Sequence, residues 1–180
     1  MSMHRAALLA LLAGAVLAQS PKYNAGRAPT PEEIKAVDIS IPPGGAGLPA
    51  GSGTAVEGKQ VYASRCAKCH GAQAQGGDEV ALVGGEGTLK SAKPLKTVGS
   101  YWPYATTLWD YTNRSMPFKD PGSLTANQVY AVTAHILFLN GIVKETDVMD
   151  AKTLPQVKMP NRNGFTSDPR PDVGKPKPRK

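Results

Sequence analysis

Cys66-Ala67-Lys68-Cys69-His70 constrains this chain more than any other stretch of it. Two thiols three positions apart share one helical turn, and a histidine follows directly. Thiols so placed can add to the two vinyl groups of a haem while the imidazole binds the iron from one face. The spacing is that of covalent c-type haem attachment. Other uses of two cysteines fit less well. The chain has only these two, so no second pair exists to complete an all-thiolate zinc site. A thioredoxin-like dithiol would sit in a βαβ context, which is not apparent here. A disulfide between cysteines this close would close a very short loop. The cofactor expected is one covalent haem c, held by Cys66 and Cys69, with His70 as proximal iron ligand.

The start of the chain agrees with chemistry performed outside the cytoplasm. Met1 to Arg5 is short and basic, Ala6 to Ala18 is apolar, and small residues close the run. This is the pattern of a secretory signal peptide, residues 1–18, cleaved after Val16-Leu17-Ala18. The run falls short of the roughly 20 residues needed to span a bilayer. An exported, periplasmic protein without a membrane span after cleavage is therefore expected. The remainder suffices for one domain. Aromatic residues make up 6% and charged residues 19%, while glycine (19) and proline (16) are abundant. A small core with irregular arms follows, with the haem supplying apolar volume. The formal net charge of +7 would fit nucleic acid in another setting. On an exported haem protein it fits an acidic redox partner or an anionic lipid surface, and no nucleic-acid partner is expected.

The chain divides into an N-terminal arm with a Pro/Gly-rich linker (19–53), a helical haem domain (54–141) and a C-terminal arm (142–180). Thr30-Pro31-Glu32-Glu33 predicts a short capped helix to about Val37. Asp38-Ile39-Ser40-Ile41 alternates polar and apolar. Thr54-Ala55-Val56-Glu57 caps a helix running into Cys66, with Gly58 and Tyr62 on the same face. Residues 71–96 lack periodicity and read as a loop around the haem edge. A third helix is expected from Pro103, with Leu108 and either Tyr111 or Thr112 facing inward, ending before Pro117. Thr125 and Gln128 cap the last helix, and Asn140-Gly141 stops it. Val129, Val132, Ile136 and Leu139 form its apolar stripe. Residues 168–180, rich in proline and basic side chains, read as a disordered tail.

The second iron ligand is sought among Met116, Met149, Met159 and His135. Met116 lies between two predicted helices, before Pro117, where a loop can close a soft thioether over the iron and raise its potential. It is the first choice as distal ligand. Met159, in the C-terminal arm, is the runner-up. Met149 reads as packing, and His135 as a packed residue within the last helix. Tyr101, Trp102, Tyr104, Trp109 and Tyr111 either line the haem or belong to the core. Lys93, Lys96 and Arg114 are candidate propionate partners or solvated cations. A second ligand makes an electron carrier. An open iron position would instead suit a haem enzyme or gas sensor.

The single C-x-x-C-H, the later Met116-Pro117 and the helix from Leu124 to Val132 resemble a class I cytochrome c over residues 54–141. That resemblance implies an all-α fold around one haem, flanked here by extended arms. It also implies first and last helices that cross near a glycine and aromatics. Gly58 and Tyr62 match the first helix, and His135 stands where the last helix often carries an aromatic.

A run from Thr97 to Thr107 (Thr-Val-Gly-Ser-Tyr-Trp-Pro-Tyr-Ala-Thr-Thr) resembles the cytochrome c subunits of Sox sulfur dehydrogenases. So do Gly26-Arg27 to Asp38-Ile39, Gly47-Leu48-Pro49 to Gly53-Thr54, and Lys158 to Phe165. The resemblance implies electrons taken from a molybdenum-cofactor subunit that oxidises sulfite or carrier-bound sulfane sulfur. They would pass to another cytochrome or an oxidase of the respiratory chain. Some members of that family carry two haems, whereas this chain has one C-x-x-C-H. The other reading of the same features is a free-standing periplasmic carrier serving several partners.

Overall fold

A computed structural model describes residues 25–168 and 170. The signal peptide and most of the tail anticipated above lie outside the described residues. The chain forms two compact units, divided after Asp38.

The first unit holds one helix, α1 (Pro31–Val37). Thr30 and Glu33 form the anticipated capping box, with Pro31 in the first turn. Arg27 also pairs with Glu33. No residue of α1 is buried within its unit.

The second unit is built on α2 (Ala55–Arg65), the short α3 (Ala67–His70), α4 (Ala105–Ser115) and α5 (Ala126–Leu139). Capping boxes open α2 at Thr54/Glu57 and α5 at Thr125/Gln128, as their sequences require. α4 begins two residues later than the expected start at Pro103, because Tyr104 is still extended and serves as N-cap. Its inner face carries Leu108, Trp109 and Thr112, whereas Tyr111 is exposed. α5 is the central element. It packs on α2, on α4 and on a two-stranded antiparallel ribbon, β1 (Ser52–Gly53) with β2 (Met149–Asp150). Burial on α5 therefore runs nearly all the way round from Val129 to Leu137, wider than the four-residue stripe.

α2 and α5 cross at Gly58. A Cβ at this position would sit 1.9 Å from the carbonyl oxygen of Ala131 and 2.8 Å from the Cβ of His135. Only glycine permits the approach. Tyr62, one turn on, packs on the His135 ring at 5.4 Å.

The segments flanking the helices contribute to the same core. Ile41, Met149, Leu154 and Met159 are all buried in it. Tyr130 donates its hydroxyl to the Pro49 carbonyl at 2.9 Å, and the Ser52 N–H reaches the Asn127 side chain at 3.0 Å. The linker is thus fastened along α5.

Candidate haem-binding site

α2 ends on Cys66, whose N–H still bonds the Tyr62 carbonyl at 2.9 Å. The single turn of α3 then carries Ala67 to His70, with the N–H of both Cys69 and His70 on the Cys66 carbonyl. Both thiols are free, Cys66 half-buried and Cys69 exposed. Burial pushes the Cys66 thiol up to about 11, against the opposing effect of Arg65, so it stays protonated at neutral pH.

Gly71 turns the chain away with φ +82°, and a Cβ there would meet Gln75 and Gly76 at 2.5 Å. The Tyr62 hydroxyl holds the Gly71 carbonyl at 2.9 Å. The chain then folds back over the motif: Gly76 N–H donates to His70 O at 2.8 Å, and Glu79 N–H to Cys69 O at 2.9 Å. This return brings the Val80 carbonyl to 2.8 Å from His70 Nδ1. A carbonyl only accepts, so Nδ1 is the donor, and in the neutral ring Nε2 keeps its lone pair. The imidazole is oriented and supplied with the tautomer a metal ligand needs. Nothing in the sequence points to Val80 as the residue that supplies this acceptor.

Met116 caps the C-terminus of α4, its N–H bonding the Thr112 carbonyl at 3.1 Å. It is half-buried, and its bond to Pro117 is cis. Met159 lies beyond the 3-10 turn Leu154–Gln156, 3% exposed within the core. Met149 is buried on β2, consistent with packing. His135 is buried at the α2–α5 crossing, and burial lowers its pKa. Its Nδ1 has no partner.

The aromatic run divides between core and surface. Trp109 is buried against Tyr130, ring centroids 5.4 Å apart. Tyr101 stacks edge-on with Phe165, and Arg162 lies over Tyr104. Lys96 sits over the Tyr101 ring, Lys93 is exposed, and Arg114 is committed to Asp110.

These residues fit a covalent haem. Two unoxidised thiols flank one turn, and an imidazole with a free Nε2 follows them. The Trp109 indole N–H is buried with no acceptor, and a haem carboxylate is the kind of group that would satisfy it.

The comparisons agree with this geometry. The Cytochrome c family model matches residues 55–140. A chain of the crystal structure of the sulfane dehydrogenase SoxCD from Paracoccus pantotrophus is 43% identical, with a TM-score of 0.76. The match covers 83% of this chain and 74% of that one. No curated protein matches. The chain belongs to the cytochrome c family. Its cofactor is covalent haem c, and it is an electron carrier. The mostly helical fold is the one expected for a class I cytochrome c. Among the described residues, no helix is long and apolar enough to cross a membrane.

Proposed function

We propose that this cytochrome is a one-haem relay outside the cytoplasm. It accepts electrons from a molybdenum-cofactor sulfite or sulfur dehydrogenase subunit and passes them to a downstream cytochrome or oxidase of the respiratory chain. The observation that carries this reading is the extent of the SoxCD match. At 83% of the chain it reaches well past residues 55–140, so the flanking segments are shared as well as the haem domain. A likeness limited to a generic electron carrier would need only the haem domain.

The haem supplies a one-electron couple. The chain attaches it through Cys66 and Cys69 and holds His70 in one orientation through Val80. In this reading His70 and Met116 would both bind the iron. With two protein side chains holding the iron, no site would be left for substrate, which suits outer-sphere transfer. The neutral thioether favours the reduced state and raises the potential. Val80, whose carbonyl bonds the His70 ring, and Phe118, two residues after Met116, are exposed apolar side chains, suited to a small, transient contact with a redox partner.

The test is stopped-flow reduction of the oxidised protein by sulfite, and separately by carrier-bound sulfane sulfur, with and without the purified molybdenum subunit. Fast reduction that requires the molybdenum subunit is expected with one of the two donors. Equal rates with and without it would overturn the reading and leave a free-standing carrier.

A further inference from the structure

Asp110 lies in the middle of α4 and is 7% exposed, with three hydrogen bonds converging on its carboxylate. The Ile41 N–H donates to Oδ1 at 2.8 Å, and Arg114 donates from Nε to the same oxygen at 2.9 Å and from Nη2 to Oδ2. One turn earlier, buried Thr106 donates its hydroxyl to the Pro43 carbonyl at 3.0 Å. The segment Ile41–Pro43 is therefore fastened across two turns of α4, and Ile41 is itself a core residue. Arg114 carries this cross-link into the last turn of the helix, two residues before Met116.

Helix ends fray by default. A terminal turn held only by its own backbone would let the C-cap residue wander. Here, turning or opening the end of α4 would break charged, partly buried hydrogen bonds. A thioether is neutral and feels no charge attraction to a metal, so its bond depends on placement.

We propose that Asp110 is a positioning residue for the distal iron ligand, locking the end of α4, and Met116 at its cap, against Ile41–Pro43. The inference rests on Met116 as that ligand.

The test uses the ferric holoprotein and two readouts, the sulfur-to-iron charge-transfer band and the affinity for added imidazole, which competes for the distal position. In Asp110→Ala the band weakens and imidazole binds at least about tenfold more tightly, the scale of losing hydrogen bonds to a charged group. Asp110→Asn keeps an oxygen for the Ile41 N–H and restores part of the effect. Arg114→Gln, which leaves the Ile41 bond in place, gives a smaller shift in the same direction and carries the test where Asp110→Ala does not fold. A purely structural role would lower the thermal midpoint while leaving the band and imidazole affinity of the folded variants as in the parent, and that result overturns the inference. Met116→Ala separates the two levels. If it keeps the band, the ligand assignment fails and the inference falls with it. If it loses the band while the Asp110 and Arg114 variants match the parent, only the positioning role fails.

Discussion

His70 is usable as a ligand because the proton on its ring is placed by the backbone. The Val80 carbonyl takes Nδ1–H, which leaves Nε2 for iron. The histidine was legible in the C-x-x-C-H spacing, whereas its acceptor was not. That acceptor is a main-chain oxygen, the same in every residue type, delivered by a return of the chain that starts at Gly71. Side-chain patterns carry no record of it. The distal ligand is the complementary case, with several methionines to choose from and placement as the only guide. Met116→Ala is expected to remove the sulfur-to-iron charge-transfer band and to lower the reduction potential by on the order of 0.1–0.2 V, within the ~0.8 V range over which axial ligands act. Met159→Ala is expected to keep the band and the potential. It should still lower stability by about 2–5 kcal/mol, because a buried methionine is truncated. Optical spectra and redox titration of the two variants check the pair.

The crossing of α2 and α5 decides whether the haem-bearing turn has a foundation. Gly58 lets the two backbones touch, and its Cβ would meet the Ala131 carbonyl carbon and oxygen, which cannot step aside as a flexible side chain would. Gly58→Ala should therefore cost more than about 3 kcal/mol, the upper end for overpacking, measured as a shift in the denaturant midpoint of the holoprotein. His135 adds a pH dependence to the same crossing. Burial lowers its pKa below the ordinary value, assisted by Lys59 and opposed by Ala55 and Glu145. The unfolded chain then binds this proton more readily than the folded one. The stability from a neutral His135 is full above the unfolded value of about 6.5 and declines as pH falls from there toward the folded pKa. His135→Phe, which keeps a ring against Tyr62, should flatten that part of the decline. Thermal midpoints of parent and variant between pH 7 and pH 5 decide it, and parallel curves would refute it. Capping boxes made the starts of these helices plain in the sequence. The all-round burial of α5 from Val129 to Leu137 was hidden, because a 3.6-residue stripe reports one buried face and this stretch is covered on several.

At the scale of the whole molecule, the haem domain does not end where its helices do. Taken from helical signals alone, it spans 54–141. Yet Ile41 before it, and Met149, Leu154 and Met159 after it, all sit in its core. β1 and β2 join the two flanks to each other, and Asn161 reaches the Tyr101 carbonyl at 2.7 Å. Beyond the brief alternation that ends at Ile41, none of this shows as periodicity, because the contacts are made by single apolar residues spaced along Pro/Gly-rich chain. Recognition of the runs around Gly47 and Met159 as shared family segments was the only sequence signal that they are structural. The energetic consequence is large. Fully burying one aliphatic or methionine side chain is worth about 1.5–3 kcal/mol, so four of them contribute roughly 6–12 kcal/mol, against a total stability of about 5–15 kcal/mol for a typical domain. Holoprotein limited to residues 54–141 is therefore expected to melt far below one spanning 39–168, or to lack a cooperative transition, when the two are compared by far-UV circular dichroism. If the shorter chain melts within a few degrees of the longer one, the flanks merely rest on a self-sufficient domain. Restoring only 39–53 should recover part of the difference, since Ile41 returns while β1 still lacks β2. A graded recovery of that kind would identify both flanks as parts of one cooperative unit rather than as independent arms.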